Sequence, residues 1–564
     1  MRALFAFRAP CAAKIEDFPL AQVCFKLAGM KGVIRWRRAI ARAMMVFVLA
    51  HHGQAAVVFR DLTEAAGLRE PLLGLMGHGG AWGDFDGDGR IDLFVGGFSD
   101  RPNAEYAPAA GPVANRLFRN LGQGRFERIA NPAVETFART SGAVFADLDN
   151  DGFPELYVAN NARAQARRGG EPQSSAQTRR SQLFRNDGGR LLDFSGPSGA
   201  CPDSLLTARN IGALDYNQDG LLDLLLIEDR FTRNPRTRLL RNLGGLRFSD
   251  ATQEAGLPND LFGLGHAVAD LNNDGAPDFF IGHANRLFLS QPGGRYREAA
   301  ELREVFKHAP ADGEDWPCGA AFGDLNRDGR LDLVVSAHAV RARNRLFLND
   351  GLKEGVPQFR EITREAGLLE IVPAKCPHVE IQDFDNDGWP DLYFSAAWLE
   401  DGQVTPLIYR HQGLQKGLPR FAASRTVKEP MVYYPAGPSG DFDGDGRLDL
   451  FLINWFSGNW CRLLRNESPE RHWLQVRVTG RRSNRMGLGA QIRLYAAGQM
   501  GNAQALLGCQ EMNVGFGYAS GQPAVAHFGL GDVTETDLEV RFPNGQTVAR
   551  RAVKAGALAL IEEP

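Results

Sequence analysis

A nine-residue acidic motif written seven times constrains this chain more than any other feature. The segment Asp84-Phe85-Asp86-Gly87-Asp88-Gly89-Arg90-Ile91-Asp92 recurs with starts at Asp147, Asp215, Asp270, Asp324, Asp383 and Asp441, and successive starts lie 63, 68, 55, 54, 59 and 58 residues apart. A period of that size holds four short strands with their turns and is too short for an independent domain per copy. The repeat therefore predicts an all-β fold, a seven-bladed β-propeller with an acidic loop in every blade.

The surroundings of the motif repeat as well. A small, apolar strand precedes it (Gly142 to Ala146), an alternating strand follows it (Asp92 to Gly96), and a third strand such as Asn115 to Asn120 leads through a Gly turn into a fourth such as Arg125 to Ile129. Six copies have their own fourth strand, near Phe126, Leu192, Phe248, Tyr296, Phe359 and Phe421, and the seventh does not. The missing strand stands at residues 57 to 63, because Val57 to Leu68 matches Phe248 to Leu257 and Phe359 to Leu368. Pairing there closes the ring and hides two sheet edges that would otherwise invite aggregation. The expected domains are a leader at residues 1–56, a propeller at 57–466 and a small β-sandwich-like domain at 467–564, where strand-like runs alternate with Gly turns.

Carboxylates at alternating positions around a Gly suit a hard cation that takes six to eight oxygens. Position one is Asp84, Asp147, Asp215, Asp270, Asp324, Asp383 and Asp441; position three is Asp86, Asp149, Asn217, Asn272, Asn326, Asp385 and Asp443. Position five is Asp88, Asp151, Asp219, Asp274, Asp328, Asp387 and Asp445. A backbone carbonyl is expected from position seven: Arg90, Phe153, Leu221, Ala276, Arg330, Trp389 and Arg447. Position nine is Asp92, Glu155, Asp223, Asp278, Asp332, Asp391 and Asp449. The bland alternative is a set of turns whose Asp and Asn side chains cap the backbone. Against it, 25 acidic side chains fall in seven clusters, and like charges a few ångströms apart cost free energy unless a cation compensates. Calcium is the expected ion, since magnesium prefers to keep its waters.

Composition narrows the setting. The formal net charge is -3, but residues 1–55 carry nine Lys/Arg against two Asp/Glu, so the remainder stands at -10. No long basic stripe announces nucleic acid. From Met30, which reads as the true start, basic residues Lys31, Arg35, Arg37, Arg38 and Arg42 lead into an apolar run from Ala43 to Ala50 and then Gly53, Ala55 and Ala56. That order predicts a secretory signal, with an apolar run too short to span a bilayer and no transmembrane segment in the mature chain. The expected location is secreted, periplasmic or cell-surface. Five Cys follow the leader, too few for a disulfide scaffold. Cys318 and Cys376, on neighbouring blades, invite either a mutual disulfide or a soft metal site of Cys318 with His266 and His378.

Polar groups round a propeller's channel come from residues before the first strand and after the second. Those positions hold His78, Ser141, Arg209, His266, Cys318 and His378, then Asn160, Glu228, His283, His338, Trp398 and Asn454. They form a candidate catalytic or metal-dependent ligand site, with scattered hydrogen-bonded channel residues as the alternative. No nucleophile elbow, P-loop, dinucleotide fingerprint or HExxH motif is present. An Arg-rich stretch, Ala162 to Ser181, reads as a long blade-two insertion. His527, beside Phe and Gly, reads as a packed strand residue.

The seven loops and their Gly-rich flanking strands resemble the FG-GAP or VCBS repeats of integrin α propellers over about residues 57 to 466. The remainder is similar to the ASPIC/UnbV domain of the cartilage acidic protein-like family, through Gly487, Gly489, Ala490, Gly515 to Tyr518, Ser520, His527 to Gly531 and Pro543 to Gly545, with Phe542 where that family more often has Trp. The resemblance implies a non-catalytic module binding a protein or glycan. Related repeats in carbohydrate lyases and lectins keep a sugar-directed enzyme as the alternative.

Overall fold

Why both central strands of each repeat are apolar along their whole length is plain from the computed structural model, which describes residues 57–161, 179–204, 207–229, 236–308, 316–339, 343–369, 372–425 and 430–564. Thr140–Ala146 and Glu155–Asn160 are buried at every position, because neighbouring sheets cover both faces of the sheet they belong to. The outer strands, such as Arg125–Ile129, keep a wet face and alternate. Each repeat is one antiparallel sheet, with Thr140–Ala146, Glu155–Asn160, Gln182–Asn186 and Leu191–Asp193 paired in chain order as the pattern. Seven such sheets, called blades below, account for residues 59 to 466. The predicted leader lies outside the described residues. Among the described residues every helix is three or four residues long, and none is long and apolar enough to cross a membrane.

The first strand of the chain, Phe59–Asp61, pairs antiparallel with Arg462–Asn466, placing Phe59 opposite Asn466 and Asp61 opposite Leu464. It is the fourth strand that the seventh repeat lacks. Innermost strands of the first six blades pack successively against one another. The sixth meets the seventh where Glu380 accepts the Ser439 N–H at 3.2 Å, and the seventh meets the first where Trp82 Nε1 donates to the Pro438 carbonyl at 3.0 Å. Glycine permits this approach: a Cβ at Gly83 would stand 2.5 Å from the Phe145 ring of the next blade.

Asparagine at the end of the third strand ties blade to blade. Asn242 Nδ2 donates to Leu222 of its own blade at 2.9 Å and to Leu148 of the preceding one at 2.7 Å. Asn186 reaches back to Phe85 at 2.8 Å, Asn466 to Phe384 at 2.7 Å, and Asn120 across the closure to Phe442 at 2.8 Å. In blade 6, His411 Nε2 substitutes, donating to Leu325 at 2.9 Å. Asn349 in blade 5 bonds Leu331 of its own blade. These asparagines are buried to within 1%.

After Asn466 the chain forms two further sheets. One orders Ala526–Gly531, His472–Thr479 and Ala557–Glu562; the other orders Leu506–Glu511, Gln491–Ala496, Glu535–Arg541 and Thr547–Lys554. They face each other over a core containing Leu474, Val476, Ile492, Leu494, Phe528 and Leu538, with Phe542 buried among them.

Replacing Asn466 by Ala strands two buried carbonyls on different blades and is expected to lower the unfolding free energy by about 2–4 kcal/mol, since each orphaned acceptor costs roughly 1–3. Asn349→Ala, which cuts no contact between blades, is expected to cost less than half as much. Urea denaturation of the two variants checks the difference, and equal losses would show that the clasp between blades adds nothing.

Candidate metal loops and the channel plug

Each acidic loop joins the innermost strand of a blade to the second, and its turn is built identically seven times. The glycine at position six holds φ between 81° and 98°, a conformation that other residues rarely take. Position four is also left-handed in every copy, as Gly87, Asn150, Gln218, Asn273, Arg327, Asn386 and Gly444, with φ between 53° and 75°. The position-one carboxylate accepts the N–H of the position-six glycine at 2.7–2.9 Å, and position five accepts the N–H of position seven at 2.8–3.0 Å.

Position nine spends both oxygens on backbone. Asp92 accepts from Phe85 N–H within the loop at 3.1 Å and from Asn120 N–H on the third strand at 2.8 Å. Glu155, Asp223, Asp278, Asp332, Asp391 and Asp449 make the same pair of bonds. An acid at a strand start thus has a structural task that sequence reasoning missed. Burial, opposed in part by these bonds, lifts the Asp92 carboxyl to about 8 and that of Glu155 to about 9.

Beyond these shared bonds the loops fall into two kinds. In blades 1, 2, 6 and 7 the carboxylates of positions one, three and nine bring oxygens within 4.8 Å of one another: Asp84, Asp86 and Asp92; Asp147, Asp149 and Glu155; Asp383, Asp385 and Asp391; Asp441, Asp443 and Asp449. Such groups could hold a metal ion. Asp84, Asp149 and Asp443 each keep one buried oxygen without a hydrogen-bond partner, which is the residue of lone pairs that a cation would use. Position five stands apart, and Asp88, Asp328 and Asp445 are paired with Arg90, Arg330 and Arg447. In blades 3, 4 and 5 the position-three amides of Asn217, Asn272 and Asn326 donate to Asp219, Asp274 and Asp328 at 2.8–2.9 Å.

The C-terminal sheets sit on this loop face. Gln475 Nε2 donates to Asp441 at 2.8 Å, Arg485 N–H to Asn150 at 2.9 Å, and Asn513 Nδ2 to the Val268 carbonyl at 2.9 Å. Asn386 gives its amide N–H to Gly446, so its oxygen must accept the Nε2–H of His527 at 2.8 Å. His527 is therefore a packed docking residue, held neutral because burial brings it down to about 3. Between the sheets and the loops lies a cavity of ≈ 470 Å³ whose wall includes Trp473, Gln475, Arg477, Gln510, Gln522 and Asp441.

From the same sheets, residues 515 to 522 enter the channel. Ser520–Gly521 pairs parallel with the innermost strand Gly80–Gly83 of blade 1. Gly517 N–H donates to the His266 and Ala320 carbonyls at 2.9 and 3.0 Å. Tyr518 N–H donates to His378 Nδ1 at 3.0 Å, its hydroxyl meets His78 Nδ1 at 2.9 Å, and Gln522 Nε2 donates to Glu380 at 2.8 Å. Arg209 is paired with Asp229 and reaches the same hydroxyl.

The channel residues picked from sequence are thus partly brought together, but round a tyrosine rather than round an open site. Ser141 bonds the Ala208 carbonyl at 2.6 Å, Asn160 accepts from Thr140 at 2.8 Å, Glu228 accepts the Thr207 N–H at 3.1 Å, and Asn454 donates to Phe456 at 2.9 Å. His338 stacks on Trp316, His283 packs against Phe262, and Trp398 is buried in the blade-6 core. The proposed soft metal set of Cys318, His266 and His378 is not assembled, because His378 commits Nδ1 to Tyr518 and Nε2 to Glu380 at 2.9 Å. The Cys318–Cys376 bridge is likewise absent. Both thiols are free, and they point into different clusters, Cys318 beside Tyr518 and Cys376 beside Val379. Most of the Arg-rich insertion, residues 162–178, lies outside the described residues.

This geometry defines the class: FG-GAP-like repeats match at residues 84–158, 215–281, 324–394 and 383–452, and an ASPIC and UnbV domain at 480–564. The chain is a repeat protein of FG-GAP-like units followed by an ASPIC and UnbV domain. Among particular proteins it is similar to Cartilage acidic protein 1 of Mus musculus, 26% identical over 523 residues that cover 86% of this chain and 73% of that one. The Homo sapiens protein of that name is 26% identical over 513 residues, covering 86% and 72%. Among solved structures, an Agrocybe aegerita lectin that recognises non-reducing terminal N-acetylglucosamine is 17% identical with a TM-score of 0.36, covering 68% of this chain and 87% of that one.

Tyr518→Ala removes the ring that fills the channel and is expected to cost about 3–5 kcal/mol of stability, whereas Tyr518→Phe, which loses only the hydroxyl's bonds, costs about 1–3. A Tyr518→Ala chain as stable as wild type in a urea titration would show that the ring does not need its plug.

Proposed function

We propose that this chain is an exported, calcium-stabilised binding module that takes a glycan at the cavity between its loop face and its C-terminal sheets. The cavity is the observation that carries the reading. Its ≈ 470 Å³ fall within the roughly 300–1,000 Å³ of small-ligand sites. Trp473 offers a ring for the apolar face of a sugar, Arg477 offers planar donors, and the amide oxygens of Gln475, Gln510 and Gln522, whose N–H groups are held by Asp441, His527 and Glu380, offer acceptors for its hydroxyls. A protein ligand has no comparable feature to support it. The channel reading, an enzyme or metal-dependent site, loses support because Tyr518 fills the place a substrate would need.

Calcium is the ion the loops suit, as the donors are carboxylate and amide oxygens. Bound, it would neutralise carboxylates that burial otherwise drives towards protonation. The residues that would hold it are those of positions one, three, five and nine, with the carbonyls of position seven, and the unpaired oxygens of Asp84, Asp149 and Asp443 favour the reading. Export rests on the basic and apolar order of residues 30 to 56.

Chelation is expected to lower the melting temperature, with calcium restoring it and magnesium not, since an ion in hundredfold excess over its dissociation constant adds about 2.7 kcal/mol per site. Replacing Asp443 and Asp445 together by Ala should lower the ion count by one. An unchanged melting temperature in chelator would sink the calcium reading. For the ligand, calorimetric titration of the calcium-loaded chain with glucose, galactose, mannose, fucose and glucuronate should find at least one binder, weakened tenfold or more by Arg477→Leu, which lines the same cavity. Silence across that panel would refute the glycan reading.

A further inference from the structure

Among the described residues, blade 4 is the one whose first aspartate takes a hydrogen bond from a guanidinium. Arg541, the last residue of the strand Glu535–Arg541, crosses from the C-terminal sheets and places Nη2 3.0 Å from Asp270 Oδ2. The same guanidinium donates to Asn273 Oδ1 at 3.2 Å and to the Asn273 carbonyl at 3.3 Å, inside the turn. Asp270, 5% exposed, is held at its other atoms too: its N–H goes to Glu511 at 2.9 Å, and its carbonyl accepts from Gln491 Nε2 at 3.3 Å.

The rest of that loop has been adapted in the same direction. As in blades 3 and 5, position three is an asparagine, Asn272, whose amide donates to position five, Asp274, at 2.9 Å. Ser290, standing where four other blades have the clasp asparagine, donates to Asp274 at 3.1 Å. Asp278 gives both oxygens to Leu271 and Ser290 N–H groups. Every carboxylate of the loop therefore already meets a donor, and the positive charge is supplied by Arg541. Arginines of the C-terminal sheets approach two other loops differently: Arg485 stands 3.9 Å from Asp147 in blade 2, and Arg471 reaches position three, Asp385, at 3.3 Å in blade 6, whereas Asp84, Asp149 and Asp443 keep unpaired oxygens.

We infer that Arg541 stands in for the metal in blade 4, so that this loop takes no ion and its first carboxylate is paired instead with a guanidinium from the C-terminal domain. A guanidinium is a fixed cation with several N–H donors, able to satisfy a carboxylate and a turn carbonyl at once. It occupies the side of Asp270 that an ion would share. The consequence is a domain contact that chelators cannot remove: the C-terminal sheets stay anchored at blade 4 when the other loops are stripped. This inference rests on the calcium reading of the remaining loops.

Native mass spectrometry of the full chain in calcium reads the ion count directly. Blade 4 is expected to contribute nothing to that count. Asp270→Asn should leave it unchanged, whereas Asp84→Asn in blade 1, where three carboxylates come together, should lower it by one. Arg541→Ala should raise it by one if the chain stays folded, and the Asp270→Asn comparison decides the matter if it does not. A full count of seven, or loss of one ion in Asp270→Asn, overturns the inference and leaves the calcium reading standing. A chain that binds no calcium at all overturns both.

Discussion

Seven buried acids at the ninth loop position, Asp92 and its equivalents, hold the ring's parts in register. Each accepts one N–H from the loop and one from the third strand, so a single side chain joins the innermost turn, the second strand on which it sits, and the third. At 0–1% exposure such a group has no water to fall back on, and an unpaired buried carboxylate would cost more than the two bonds return. The Asn at the end of the same third strand then reaches the preceding blade. Acid and asparagine are adjacent links of one hydrogen-bonded chain, which His411 continues in blade 6 and which is interrupted at blades 4 and 5.

That hydrogen-bonded chain also reframes the loops. Their capping bonds make each turn self-supporting, which is what a turn without an ion would need, and yet four of them still bring three carboxylates together. The loops are thus turns first and cages second. A fold element that exists before the ion arrives presents its oxygens with little ordering cost, the usual advantage of preorganisation.

The repeat, the strand order and the borrowed fourth strand were all legible in the sequence, because a period, a motif and a missing copy are local patterns that recur. The two uses of position nine were not, since an acid reads as a ligand until its partners Phe85 and Asn120 are seen. The plug was hidden for a different reason. Gly515 to Gln522 has no hydrophobic period, and its partners, His78, Glu380 and His378, lie 440, 142 and 140 residues away from the atoms they meet. The cysteine pairing failed because adjacency of blades does not fix which side of a strand faces inward. Cys318 lies six residues before Asp324 and Cys376 seven before Asp383, and that offset of one turns the two side chains to opposite faces, into separate cores.

The strand Phe59–Asp61 has a consequence in time. It is the first described element of the chain, and its partner Arg462–Asn466 comes some 400 residues later. At synthesis rates of about 5–20 residues per second, that interval lasts on the order of 20–80 s. Throughout it the first blades can form, but the opening strand has nowhere to pair and the ring stands open at one edge. The channel waits longer still, for Tyr518. A nascent chain of this design is therefore a curved, unfinished sheet stack with an exposed seam, and its dependence on chaperones should be greatest just before its end is made.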